Sequence, residues 1–344
     1  MSEIKHLLPQ VDRYFKANLH THTDISDGRF SPEETKELYK SRGYQIVAFT
    51  DHDVCIAHPE LEDPDFLPLT SYELEFNESG KPKTILKTYH LCFIAKDKNN
   101  RWQSFDPNYC KGNRLKYKDQ VVCDGYEAHD YSLEKVNKVI ADANAKGFLV
   151  TYNHPSWSLQ DYTDYIGLKG LWAMEVYNHE CNCIGQDDNN SRVYQDLLRQ
   201  GNRLFAVATD DFHQMPYGQR IAGGWVMVGA KELTYASVIE ALEKGAFYAS
   251  TGPEIQELSL EGTKLKIRCS DAKHIMIFSH CRQSSLIVPT EDAATVQEAE
   301  IDLAGWIDNW NENDQQEKAF IRIIVTGTDG QKAYTRAYWY NELV

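Results

Sequence analysis

Strand-like and helix-like segments alternate over the first 250 residues or so of this chain, and this alternation restricts its fold more than any other feature. It predicts an α/β architecture with parallel strands. "YFKANLH" reads as a strand, and "SPEETKELYKSRG" as a helix with Ser31 as N-cap, Pro32 in the first turn and Gly43 as its stop. "YQIVAFTDHD" is a continuous apolar strand of the kind buried in a parallel sheet. "LPLTSYELEF" and "TILKTYHLCFIA" flank the turn "NESGKPK" and predict a hairpin. "SLEKVNKVIADANAKG" is a helix capped by Ser132 and ended by Gly147. "FLVTYNHP", "LWAMEVYN", the helix "SRVYQDLLRQG" and "RLFAVATDDFH" follow.

The stretch from Asp97 to Asp130 breaks this pattern. It is polar, basic and aromatic, and longer than an ordinary connection, as a lid or binding loop would be. Past residue 254 the character changes again. Short alternating strands with turns between them, and no evident helix, suggest a small β-sandwich. The expected organisation is therefore residues 1–253 as one unit and 254–344 as a second.

Histidines and carboxylates recur at the ends of the predicted strands: His20 and His22, Asp27, His52, Glu73, His90, His154, Asp211 and His213. Residues two apart on a strand share a face, so the imidazoles of His20 and His22 can grip one object. In a barrel of strand–helix units the C-terminal strand ends converge, which assembles ligands far apart in sequence. A single histidine at a strand end is more often structural than a ligand. Six in matching positions, interleaved with carboxylates, point to a multi-metal hydrolytic site.

Taken in order, "NLHTHTDISDG", "AFTDHD", "YELEF" with "YHLCFIA", "NHP", "EVYN" and "TDDFH" resemble the motifs of the polymerase and histidinol phosphatase (PHP) family. Its members are metal-dependent phosphoesterases on a distorted (β/α)7 barrel with a trinuclear centre. The resemblance implies that fold here, followed by an immunoglobulin-like β-sandwich. It also implies three divalent ions, zinc, manganese or iron. His20, His22, Glu73 and Asp211 would hold the first; Glu73, His90 and His154 the second; Asp27, His52 and His213 the third. The chain departs from the family in two places. Its last motif reads Thr209-Asp210-Asp211-Phe212-His213 where Gly-Ser-Asp-x-His is common, leaving Asp210 as a support for the ligands. Glu75 stands where Ser or Thr is usual, and either bonds a ligand or faces solvent.

The implied activity is hydrolysis of a small phosphorylated metabolite, a nucleotide or sugar phosphate, with Asp211 and His213 as catalytic residues. A hydrolase of C–N or C–O bonds is the alternative, because the same centre polarises carbonyls. Tyr177 and Asn178 of "MEVYN", with Glu175, are expected at the rim, with Tyr177 and Asn178 contacting substrate. Arg220 is either a phosphate contact or a surface arginine. Trp102, Tyr109 and Arg114 could stack on a base or pack within their loop. His179 with Cys181 and Cys183 could bind metal but reads better as a solvated loop, and His6, His58, His129, His274 and His280 are assigned no metal role. The tail aromatics in "GWIDNW" and "YWY" are expected in a core, with carbohydrate binding the less common explanation.

Formal net charge is −15 with no basic stripe, which argues against nucleic-acid partners and anionic membranes. Three divalent ions would bring roughly +6 against −3 from Asp27, Glu73 and Asp211, so an acidic chain could still offer phosphate a cationic pocket. Eight scattered cysteines, no signal-peptide pattern and no apolar run of membrane-spanning length predict a reduced, cytoplasmic protein. Oligomeric state is not legible from the sequence.

Overall fold

Ser31 accepts the Glu34 N–H while the Glu34 carboxylate accepts the Ser31 N–H, and this reciprocal cap starts the helix Pro32–Lys40 as expected. Gly43 ends it at φ +78°, a conformation that suits glycine. Ser132 stands at the N-cap of Leu133–Ala145 but makes no capping bond through its side chain. The computed structural model describes residues 4–123, 130–187, 189–214 and 221–344.

The molecule is a mixed α/β structure on a large connected sheet of 17 strands. Phe15–Asn18, Ile46–Phe49 and Leu67–Asn77 pair in parallel. Leu67–Asn77 and Thr88–Ala95 form the expected hairpin, and Thr88–Ala95 also pairs antiparallel with Phe148–Asn153. Phe148–Asn153, Ala173–Asn178 and Phe205–Thr209 then run parallel. The two ends of this series meet: the His22 N–H donates to Phe212 O and the Asp211 N–H to His20 O, each at 2.9 Å. Residues just past several parallel strands are thereby brought to one place.

The sheet continues on its other side through Trp225–Val228 and Phe247–Ser250 into Lys332–Tyr334 of the tail. Two large apolar clusters and two smaller ones fill the molecule. The first mixes strands of residues 15–249 with Phe320, Ile324, Tyr334 and Trp339 of the tail. The second gathers Leu258, Ile267, Ile275, Ile323 and Trp310. Ile4–His6 pairs antiparallel with Ile255–Glu261, which ties the start of the described chain to the tail.

Two expectations for the tail need correction. "KLKIRCS" and "HIMIFSH" form one 16-residue strand, Lys264–Ser279. Its pairing shifts near Arg268 and Ala272, so that the two halves have different neighbours. The tail also contains a helix, Ala304–Glu312, where none was expected. It buries Ile307 and Trp310 one turn apart; of the tail aromatics Trp310, Tyr338 and Trp339 lie in a core, while Trp306 and Tyr340 are partly buried against it. Among the described residues no helix is long and apolar enough to cross a membrane.

Arg336 clamps the end of the chain. Its Nη1 lies 3.0 Å from Glu342 Oε2, which also accepts the Trp339 N–H at 3.0 Å. Burial would raise the Glu342 pKa, but Arg336 outweighs it and holds the carboxyl below its ordinary value. A depressed folded-state pKa stabilises above the unfolded value, near 4.3, and this stability fades as pH falls through the folded value. Glu342→Gln is therefore expected to cost about 1–3 kcal/mol at pH 7. Denaturant unfolding at pH 7 and pH 3 should show the gap from wild type closing at the lower pH; a gap of equal size at both would contradict this account.

Candidate metal centre

Local geometry delivers each histidine to the same end of the sheet. His20 and His22 follow Phe15–Asn18, and their Nε2 atoms lie 3.2 Å apart. Asp27 sits in a turn that only glycine can close at position 28, since a Cβ there would come within 2.6 Å of the His22 carbonyl. His52 follows Ile46–Phe49 and bridges to Glu73 on the next strand. His90 reaches in from the hairpin partner. His154 and Asp211 follow their strands at φ +27° and +51°, backbone settings that cost energy for non-glycine residues and concentrate at functional sites.

Glu73, 1% exposed, is the hub. Its Oε1 lies 3.2 Å from His20 Nε2, 3.1 Å from His90 Nδ1 and 3.7 Å from His154 Nε2. Its Oε2 lies 3.3 Å from His22 Nε2 and 3.4 Å from His52 Nδ1. Asp211 Oδ1 is 3.1 Å from both His20 Nε2 and His22 Nε2. Asp27, exposed at the mouth, stands 3.6 Å from His22, His52 and His213. Four overlapping groups therefore have donor atoms close enough to share an ion: His22 with Asp27, His52 and His213; His20 with His22 and Glu73; His20 with His154 and Asp211; Glu73 with His90 and His154. All nine residues singled out take part, but Glu73 lies within Leu67–Asn77 and His90 near the start of the antiparallel Thr88–Ala95, not at strand ends as expected.

Burial and charge pull in opposite directions here. Burial disfavours a charged His22, but hydrogen bonds to Asp211 and Glu73 raise it to about 10. His154 is raised to about 9 in the same way, whereas burial pushes His52 down to about 4. Burial would raise the Glu73 and Asp211 carboxyls, yet the surrounding histidines hold both well below their ordinary values. The centre thus keeps its carboxylates ionised beside protonated histidines, and a bound cation would take the place of those protons. Asp211 Oδ1 is buried against the ring nitrogens of His20, His22 and His213, and His52 Nδ1 against Glu73 Oε2, so these atoms face other candidate ligands and, among the described residues, no other donor or acceptor. Imidazole nitrogens and carboxylate oxygens converging in this way fit divalent zinc, manganese or iron.

A second set of residues fixes this arrangement. Glu175 Oε1 lies 2.7 Å from His20 Nδ1 and accepts the Thr209 hydroxyl at 2.6 Å, while Oε2 accepts the His154 N–H at 3.0 Å. This bond to Nδ1 turns the opposite nitrogen of His20 toward the centre. Asn178 donates to Glu175 Oε2 at 3.0 Å and to Asp211 Oδ2 at 3.1 Å. Both residues are fully buried beneath the ligands, not at the rim where substrate would touch them. Tyr177 points elsewhere, its hydroxyl 3.0 Å from His179 Nδ1 in a cavity also lined by Asn189 and Tyr334. The cause is a β-bulge: opposite Val207–Ala208 the partner strand advances by two residues, from Glu175 to Tyr177, which reverses the expected alternation. Glu175→Gln is expected to weaken metal retention by about ten- to a hundredfold, as loss of a ligand's supporting carboxylate does elsewhere. Metal titration with a competing chelator measures this, and unaltered retention would remove Glu175 from the centre.

Asp210 accepts the N–H groups of Ala222, Gly223 and Gly224, so it anchors the chain after the site. Asp51, which the sequence did not single out, accepts four bonds from Thr23 and Ser26 and pins the turn that carries Asp27. Glu75 Oε2 lies 3.6 Å from His90 Nε2. Arg114 pairs with Asp53 beside His52, and Trp102 is buried against Phe148 within the core. Arg220 and His129 lie outside the described residues.

No family model matches the chain, and no curated protein does. Solved structures that resemble it include a two-domain protein containing a predicted PHP-like metal-dependent phosphoesterase from Bacteroides vulgatus. That protein is 15% identical with a TM-score of 0.45, and the match covers 97% of this chain and 98% of the other. A candidate metal-dependent phosphoesterase from Bifidobacterium adolescentis is 16% identical over 58% of this chain and 87% of the other, with a TM-score of 0.40. An amidohydrolase from Chromobacterium violaceum with bound sulfate and no metal is 17% identical over 57% and 87%, with a TM-score of 0.38.

Proposed function

We propose that the chain is a metal-dependent phosphoesterase of the PHP type, acting in the cytoplasm on a small phosphorylated metabolite. In this reading residues 1–253 are a distorted (β/α)7 barrel and 254–344 an immunoglobulin-like sandwich. The nine candidate ligands hold three divalent ions, partitioned as the family resemblance implies. The observation that carries the proposal is the convergence of six histidines and Asp27, from segments distant in sequence, around the buried carboxylates of Glu73 and Asp211, with donor atoms close enough to share ions.

Divalent ions bound there would supply water of lowered pKa, about 7 in favourable cases, and positive charge for the phosphate oxygens. The chain's own part is placement. Glu73 and Asp211 fix the histidines, and Glu175 and Asn178 hold those in turn. His213 Nδ1 lies 2.8 Å from the Asp211 carbonyl, which accepts a hydrogen bond from it and leaves Nε2 toward Asp27 at the mouth. With Nδ1 committed to that carbonyl and Nε2 available to an ion, we assign His213, a quarter exposed, to holding the ion at the mouth beside Asp27.

The wild-type protein, incubated in turn with zinc, manganese and iron, is expected to retain about three ions per chain by mass spectrometry. It should hydrolyse phosphate esters in preference to a matched amide panel and be inhibited by inorganic phosphate. Amide turnover without ester turnover would move the reaction to C–N bonds, and a chain that retains none of the three metals would end the proposal.

A further inference from the structure

The centre borders a groove of about 380 Å3, a size that suits a small molecule. His90, one of the proposed ligands, forms one edge, and Glu75, Asn77, Lys83, Trp157 and Gln186 are among the other lining residues. Trp157 is 37% exposed, although its ring contacts the centre edge-on: 5.4 Å from the His90 ring and 5.1 Å from that of His154, centroid to centroid. The turn that carries it is fixed. The Ser158 N–H donates to the His154 carbonyl at 3.1 Å, and the Ser158 hydroxyl lies 3.2 Å from His154 Nδ1. Leu159, another lining residue, adopts φ +58° and is half exposed. A strained turn that presents a tryptophan and a leucine beside metal-type ligands needs a reason beyond core packing.

The chemistry of the lining narrows the occupant. Lys83 and Glu75 cancel in charge, so the described lining gives no net attraction to a second phosphate. The amides of Asn77 and Gln186 each offer donors and an acceptor, and the indole offers a face for stacking. Resting on the phosphoesterase reading above, we infer that this groove seats the leaving group of the ester, a neutral polar ring of nucleoside or hexose size lying on Trp157.

The test compares kcat/KM for adenosine monophosphate, glucose phosphate and glycerol phosphate in wild type, Trp157→Ala and Trp157→Phe. The ratio of ring ester to glycerol ester is expected to fall by about ten- to a hundredfold in Trp157→Ala, chiefly through KM, with metal content unchanged and most of the preference restored by phenylalanine. Whichever ring ester loses more identifies the source of the ring. Gln186→Ala, on an exposed loop, is the second variant should Trp157→Ala fail to fold, and it should lower the same ratio. An unchanged ratio overturns the inference. So does an equal loss on all three esters together with lost metal, because Trp157 would then only support His90 and His154. If wild type hydrolyses no phosphate ester, the phosphoesterase reading has failed and calorimetry with adenosine and with glucose decides the groove: binding abolished in Trp157→Ala sustains it as a ring site, and no binding overturns it.

Discussion

Glu73→Gln is expected to lower ester hydrolysis by about a thousandfold or more, with metal content falling in parallel. The substitution keeps the shape of the side chain and removes only its charge. That charge is central, because the two carboxylate oxygens lie within 3.1–3.7 Å of nitrogens on His20, His22, His52, His90 and His154. None of the other carboxylates at the centre reaches five imidazoles. An amide presents one neutral oxygen and two N–H donors, and those donors would oppose any cation held by the same histidines. Metal analysis and steady-state kinetics on the purified variant check this. Full activity with full metal content would mean that the residue at the geometric centre is not at the chemical one.

The second large effect is on stability. Trp310→Ala is expected to cost about 3–5 kcal/mol, read from denaturant unfolding. The ring is fully buried in the tail's apolar cluster, and its Nε1 donates to Gln283 Oε1 at 2.6 Å. Alanine would leave a cavity and take the indole donor from a glutamine oxygen that keeps only the weak Cys281 thiol at 3.4 Å. A cost below about 1 kcal/mol would show that the helix Ala304–Glu312 settles into the space, and would weaken the view that this side chain organises the second cluster.

Trp310 also shows where sequence reasoning stops. Its helix contains Gly305, two asparagines and an aspartate within nine residues, a composition that predicts a turn. The legible signal was the spacing of Leu303, Ile307 and Trp310, which marks one helical face. By contrast, His20, His22, His52, His154, Asp211 and His213 were legible because each depends only on where its own strand stops, whereas Glu73 lies within Leu67–Asn77 and His90 near the start of Thr88–Ala95. The Glu34–Ser31 cap is local in the same sense. Glu175 and Asp51 were not identifiable as supports, because their partners lie up to 155 residues away. Tyr177 and Asn178 were placed by an alternation that one extra residue in the strand reverses.

The pairing of Ile4–His6 with Ile255–Glu261 carries a consequence for how the molecule is made. At ordinary rates of translation, the ribosome needs roughly ten to fifty seconds to travel between those two segments. Through that interval residues 4–6 have no strand to join, while Leu7 and Leu8, which belong to the second apolar cluster, have no cluster to enter. Chaperone dependence should therefore be greatest for nascent chains stalled before residue 255, and should fall sharply once the tail has emerged.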